Sequence, residues 1–234
     1  MEKKIRPNKR KRIPRAKGTW ESESWRLGHF VCGVDEVGRG CLAGPVVTSA
    51  VILHPQETFA LLKDSKILTK DERIRAARWI RQHSWYAFGV VSHQEIDRFN
   101  IYQATKRAMK RALMHVIEQA GHVPERIIID AMNLSFGAHS LSQAELICVP
   151  RAEQASISVA AASILAKVKR DELMNTLGRI FPGYSLGRHK GYATLIHCKA
   201  VECQGRSIIH RVTFLKKLEW RKQEVYEQQI KIFG

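Results

Sequence analysis

The sequence of 234 residues predicts an α/β domain: a mixed five-stranded sheet flanked by helices, with a helical C-terminal extension. Three observations predict it. Runs rich in Val and Ile at 29–36, 45–53 and 85–91 follow one another closely enough to pair antiparallel. Two shorter apolar runs, 127–130 and 146–149, return behind intervening segments, as crossover strands do. Between them, apolar positions 101, 104, 108, 109, 112, 113, 116 and 117 repeat at helical spacing.

Taken in order, residues 1–17 hold nine Lys or Arg against one Glu, too charged to fold alone. The expected division is a basic, flexible arm over 1–27, a catalytic domain over 28–205 and a helical extension over 206–234. The first two strands are separated by a glycine-rich turn at 38–44. Thr69 with Glu72 forms a capping box, which starts a helix at Lys70 that runs to about His83. Ser92 with Glu95 repeats the pattern and opens a second helical region. Gly121 and Pro124 stop the long helix. Residues 155–178 suit a helix buried at its start, and 182–194, rich in Gly and basic residues, read as loop.

The net charge of +17 implies a polyanionic partner, and about half of it lies outside the first 17 residues. Five cysteines form no CxxC pair and no even framework, so they read as free thiols in a reducing compartment. Cys198 and Cys203 near His197 and His210 match none of the usual zinc spacings. No apolar run reaches the ~18 residues of a membrane helix, and the basic N-terminus lacks an apolar stretch behind it. A cytoplasmic, monomeric protein with no membrane partner is expected.

The chain is organised around Val31-Cys32-Gly33-Val34-Asp35-Glu36-Val37-Gly38-Arg39-Gly40. Neighbouring strand side chains point to opposite faces, so Asp35 and Glu36 should share a site only where the strand ends or bulges. Hydrolysis of a phosphodiester needs an activated water and a stabilised leaving oxygen, which two cations held by carboxylates supply. Asp35, Glu36, Asp130 after three isoleucines, and Asp171 are the candidate ligands for Mg2+ or Mn2+. Local sequence also allows Asp130 to be a turn or cap residue and Asp171 to be an ion pair with Lys167. An adjacent acidic pair in an apolar strand has no comparable structural use, because burying carboxylates without cations is costly. Gly38-Arg39-Gly40 can be a tight turn or a substrate contact. His189-Lys190-Gly191-Tyr192 offers a cation, a flexible residue and an aromatic to a nucleotide, or a tyrosine packed under the loop.

The stretch 33–40 with Leu42-Ala43-Gly44-Pro45-Val46-Val47 resembles the signature of ribonuclease HII, the type 2 ribonuclease H family. The likeness continues through Asp64-Ser65-Lys66, Asn100-Ile101, Ala160 to Val168, Arg170-Asp171, His189 to Tyr192 and His210-Arg211, in the family's order over roughly 28–215. The resemblance implies a ribonuclease H-like fold and endonucleolytic cleavage of RNA in RNA–DNA hybrids. It also implies incision at single ribonucleotides in duplex DNA, with 5′-phosphate and 3′-hydroxyl products. On the same basis Asp35, Glu36, Asp130 and Asp171 hold two metal ions and perform catalysis, and Gly38, Arg39 and Gly40 contact the ribose 2′-hydroxyl. Tyr192 packs on the sugar at the junction, and Lys66, Ser163 and Lys167 contact phosphate.

Three positions depart from the family's pattern: Cys41 stands where Pro is usual, Ala131 where Gly is, and Arg151-Ala152-Glu153-Gln154 where a Lys-Gly-Asp run is. Without the fixed backbone of Pro, Cys41 is expected to loosen the Gly-Arg-Gly turn. Ribonuclease HIII is the nearest rival, expected to carry an N-terminal domain for which residues before Gly28 leave no room. A binding protein without catalysis would not need all four acids. A different nuclease on this fold would not need Gly-Arg-Gly and Tyr192.

Overall fold

The computed structural model describes residues 17–130, 132–134, 141 and 144–216. Five strands form one sheet: β1 (Val31–Val37), β2 (Val46–Leu53), β3 (Ser84–Val91), β4 (Arg126–Asp130) and β5 (Glu145–Val149), in the order β3-β2-β1-β4-β5. As expected, β1, β2 and β3 are antiparallel neighbours, while β4 and β5 run parallel to β1.

Six α-helices lie wholly within the described residues: α1 (Thr19–Arg26), α2 (Lys70–Gln82), α3 (His93–Ala120), α4 (Ile157–Ile180), α5 (Leu186–His189) and α6 (Leu195–Gln204). Both capping boxes form, on Thr69 and Ser92. α3 merges the two expected helical segments across a kink at Asn100 (φ 62°), whose side chain accepts from Gln103 N–H and caps the second segment. Gly121 ends α3 in the left-handed conformation.

The sheet is sandwiched between helices. Cys32 and Val34 face α3, where they pack with Met109, Leu113, Val116, Ile127 and Ile129. Truncating a residue such as Leu113 to Ala there costs about 2–5 kcal/mol. On the opposite face Val51 and Leu53 pack with Ile80 of α2 and with Ala161, Ile164 and Leu165 of α4. Gly33 makes the closest approach: a Cβ there would lie 2.1 Å from the Ser158 carbonyl carbon, so only glycine lets α4 sit this tightly on β1. The small residues at the start of α4 follow from that approach.

The expected domain boundaries need correction at both ends. Residues 1–16 lie outside the described part, but the remainder of the expected arm is folded onto the domain. Trp20 is buried against Val31, Ile128 and Ile147, and the carboxylate of buried Glu21 accepts from Ser156 Oγ and Ser158 N–H. A buried apolar side chain and an acid that accepts two hydrogen bonds through one oxygen tie this stretch to the domain despite the basic composition upstream. Nor does the domain end at 205, because Arg211 is fully buried beneath the glycine turn. Residues 212–216 are helical, and the remainder of the expected extension, 217–234, lies outside the described residues. No described helix is long and apolar enough to cross a membrane.

Candidate active site

Pairing of β1 with β2 stays regular past the acids, with Asp35 opposite Ser49, Glu36 opposite Thr48 and Val37 opposite Val47. The expectation that the strand breaks at the acidic pair is therefore corrected: the break comes at Gly38. The site opens instead on the other edge of β1. Its ladder with β4 stops at Val34 opposite Ile129, so the two strands part there. Side chains from both faces of the last β1 residues reach the notch, and Asp130, the last residue of β4, closes it.

A cavity of about 450 Å³ occupies this notch. Asp35, Glu36, Asp130, Gly38, Arg39, Gly40, Lys66, Ser163, Lys167 and Tyr192 all line it. A larger groove of about 720 Å³ over β3 and α3 has Glu118 as its one lining acid and lacks converging carboxylates.

Burial pushes the Asp35 carboxyl well above the usual range, and the charges of Glu36 and Asp130 push it further. Its Oδ1 accepts the Glu36 N–H at 2.7 Å. Burial also raises Glu36, against the pull of Arg39, whose Nη1 lies 3.4 Å from Glu36 Oε1. Glu36 Oε2 is buried with no hydrogen-bond partner. Asp130 Oδ1 accepts from Ala152 N–H at 3.2 Å.

Asp171 stands apart from this group. Ser163, Lys167 and Asp171 follow at intervals of four along one face of α4, so Asp171 lies one turn beyond the cavity-lining Lys167. It makes the ion pair that local sequence allowed, Lys167 Nζ to Asp171 Oδ1 at 2.8 Å. Among the described residues no three His, Cys, Asp or Glu side chains are close enough to hold a metal ion by themselves. Of the four expected acids, Asp35, Glu36 and Asp130 line the cavity, and Asp171 lies outside its lining. Glu36 is paired with Arg39 and Asp171 with Lys167.

Gly38 sits at φ +94°, and a Cβ there would lie 2.1 Å from Arg170 Nε, so the turn's first position excludes any side chain. Ser163 Oγ lies 2.9 Å from Ser65 Oγ, and its hydroxyl pulls the Asp35 carboxyl down against burial, while Lys66 is exposed at the rim. Tyr192 is 41% exposed, with the Arg170 guanidinium 5.8 Å from its ring centroid and the Cys41 thiol beside its hydroxyl. The 182–194 segment is less of a loop than expected, holding a 3₁₀ turn at Pro182–Tyr184 and α5. Lys190 bends back onto Asn175 Oδ1 at 2.6 Å and the Gly187 carbonyl, so it does not join Tyr192 in a nucleotide-facing surface.

Four lining residues lie outside the expected set, Val37, Ser65, Arg73 and Glu153, and the last two are the informative ones. Glu153 is buried with Oε2 unpartnered, and burial with the Asp130 and Asp64 charges raises its carboxyl. The acid in the divergent 151–154 run was the available signal. Arg73 donates to the carbonyls of Ser65 (2.9 Å) and Leu68, fixing the loop that carries Lys66, and nothing in its local sequence marks it.

Carboxylates buried at the parting of two parallel strands, beside a basic glycine turn, define a nuclease of the ribonuclease H class. Comparison with known proteins agrees. The family model described as Ribonuclease HII matches residues 32–223. A ribonuclease HII of Thermus thermophilus is 40% identical over 200 residues, 85% of this chain and 93% of its own. The crystal structure of ribonuclease H2 from Pyrococcus horikoshii OT3 gives a TM-score of 0.66 at 25% identity, covering 82% of this chain and 98% of that one. Bst-RNase HIII in complex with Mn2+ gives a TM-score of 0.62 at 25% identity, with 79% and 67% covered. The chain belongs to the ribonuclease HII family, and is thus a hydrolase with ribonuclease H activity.

Proposed function

We propose that this endoribonuclease is metal-dependent and that, besides RNA–DNA hybrids, it incises duplex DNA 5′ of a single embedded ribonucleotide. Its products are 5′-phosphate and 3′-hydroxyl ends, and its role is ribonucleotide removal in a cytoplasmic DNA-maintenance setting. One observation carries the reading: Asp35, Glu36 and Asp130 share a cavity with Gly38-Arg39-Gly40 and Tyr192, and one buried Glu36 oxygen has no partner.

Buried, mutually repelling carboxylates fit hard divalent cations, and the Mn2+ complex of Bst-RNase HIII supports that fit. Asp35, Glu36, Asp130 and Asp171 would hold Mg2+ or Mn2+, two ions with substrate present. When bound, such ions activate a water and stabilise charge on the leaving 3′-oxygen. An acid set that is open without substrate suits ions that draw remaining ligands from water and substrate phosphate.

Arg39 and Lys167 now rest on Glu36 and Asp171. With Glu36 and Asp171 holding metal, Arg39 would be available to the ribose 2′-hydroxyl, with the amides of Gly38 and Gly40 beside it, and Lys167 would be available to phosphate. Lys66 and Ser163 bind phosphate at the rim and floor, and Tyr192 packs on the sugar beyond the cut. The 2′-hydroxyl is what separates RNA from DNA at such a site.

The test is a DNA duplex with one internal ribonucleotide, incubated with protein and Mg2+ or Mn2+, beside an all-DNA duplex and the Asp130→Asn variant. A nick 5′ of the ribonucleotide, absent from both controls, is expected. Cutting confined to long hybrids would refute junction recognition, and binding without cutting under either metal would refute the assigned catalytic chemistry.

A further inference from the structure

His210-Arg211 belongs to the matched motifs but touches neither acid nor cavity, so the chemistry above leaves it unused. The side chain of Arg211 is fully buried, and every hydrogen bond described for it ends on a backbone carbonyl. Nη2 donates to Gly38 O at 2.8 Å and Gly44 O at 2.9 Å, Nη1 to Arg39 O at 2.8 Å, and Nε to Gly44 O at 3.1 Å. One guanidinium thus holds both ends of the turn that reads the ribose, and the planar fork makes this possible where an ammonium could not. Its backbone N–H adds a bond to Leu42 O at 2.8 Å, and Leu42 N–H donates to Gly191 O at 2.8 Å, next to Tyr192.

The histidines complete a link to the tyrosine. Ser207 N–H donates to His210 Nδ1 at 3.0 Å, so that nitrogen is bare and the neutral ring carries its proton on Nε2. His210 Nε2 lies 3.0 Å from His197 Nε2, and His197 Nδ1 lies 2.9 Å from the Tyr192 carbonyl, which can only accept. One arrangement satisfies every contact: His210 Nε2–H donates to His197 Nε2, and His197 Nδ1–H donates to Tyr192 O. Both rings are neutral in it. Burial, with the neighbouring His197 charge, pushes His210 down to about 4, and burial lowers His197 too, which agrees with that state.

We propose that Arg211 and the His210–His197 pair are positioning residues for substrate selection. They fix the separation between Gly38-Arg39-Gly40 and Tyr192, and that separation sets the preference for a lone ribonucleotide over a continuous RNA run. A lone ribonucleotide offers one sugar to be gripped from both sides, so a misplaced turn or tyrosine costs the whole recognition. A long hybrid offers a 2′-hydroxyl at every register. The inference rests on the junction reading given under Proposed function.

The experiment compares kcat/KM on a duplex with one ribonucleotide against kcat/KM on an all-RNA hybrid, for wild type, Arg211→Lys, His197→Leu, His210→Leu and His210→Gln, with a melting temperature for each. Arg211→Lys and both leucine variants are expected to lower the single-ribonucleotide to hybrid ratio at least tenfold, with hybrid cleavage by Arg211→Lys within about threefold of wild type. His210→Gln keeps a donor at the Nε2 position and is expected to restore the ratio to within threefold of wild type; it decides the matter if the leucine variants do not fold. Equal losses on both substrates, or an unchanged ratio in Arg211→Lys with His210→Gln no better than His210→Leu, would overturn the inference and leave the junction reading standing. A wild-type protein that leaves the lone ribonucleotide uncut would overturn the junction reading and this inference together.

Discussion

The two sides of the site are built on opposite terms. On the acidic side, buried Asp35 and Glu153 and half-buried Glu36 are carboxylates raised by loss of solvent, and two of them carry an oxygen without a partner. On the other side, Arg170, Arg211, His197 and His210 are buried among carbonyls and one another in a network of directed hydrogen bonds. The difference separates what must change during a reaction from what must not. Under the proposed function, the carboxylates that would receive cations keep oxygens without partners, and the residues that would position the sugar contacts are hydrogen-bonded in advance.

Neutralising one side is the largest test of that contrast. Asp35→Asn keeps an oxygen for the Glu36 N–H and removes the most burdened charge. Activity is expected to fall at least about 10²-fold, the scale of deleting one preorganised electrostatic group. Melting temperature of the metal-free protein is expected to rise by a few degrees, since about 1 kcal/mol shifts it by roughly 2–4 °C at this size. A fall in melting temperature would show that the acids are not under electrostatic strain.

Arg211→Met does the reverse. It leaves the carbonyls of Gly38, Arg39 and Gly44 without their donor, at about 1–3 kcal/mol for each buried acceptor that water cannot reach. Thermal denaturation is expected to show a loss of roughly 10 °C. Urea unfolding monitored by fluorescence should give the same sign, and unchanged stability would mean the clamp is replaceable by packing.

Acid titration should split the two sides by sign. His210 in the folded chain titrates near 4, below its ordinary 6.5, surrounded by His197, His93, Arg206, Ser207 and the Tyr184 ring. Above about 6.5 it is neutral folded or unfolded and adds no slope. Between 6.5 and 4 the unfolded chain takes up a proton that the folded one does not, so its contribution to stability is lost as pH falls. Asp35 and Glu36 are raised, so acid relieves them and stabilises the fold through that same process reversed. His210→Gln should flatten the decline in melting temperature between pH 6.5 and 4, and the advantage of Asp35→Asn should shrink as pH is lowered. Parallel pH curves for wild type and both variants would refute the split.

How much of this was legible in the sequence follows from how local each signal is. Strands, capping boxes and the acid pair are written in neighbouring residues, so the five strands, the antiparallel run of the first three and helix starts such as Thr69–Glu72 could be read directly. The opening of the site could not, because it depends on where the β1–β4 ladder stops, a relation between residues about a hundred positions apart. The basic arm hid α1 because composition averaged over nearby cations, while Trp20 and Glu21 act through partners on β1, β4 and α4. Cys41 was expected to loosen its turn for want of a proline. The turn is held instead by Arg211, a residue distant in sequence and satisfied by backbone alone, for which no local pattern exists.

The smallest effect lies within the turn itself and divides it between the two sides. A Cβ on Gly38 would meet Arg170 at 2.1 Å in a left-handed backbone, whereas a Cβ on Gly40 meets nothing within 4 Å and Gly40 has no positive φ. Gly38→Ala is therefore expected to lower stability and activity together. Gly40→Ala should leave the stability within about ±0.5 kcal/mol of wild type. If Gly40 approaches the ribose, its added methyl group should nonetheless weaken single-ribonucleotide cutting through KM, because the space it fills is the substrate's. Unchanged KM with unchanged stability would place Gly40 outside the recognition surface and confine sugar reading to Arg39, the Gly38 amide and Tyr192.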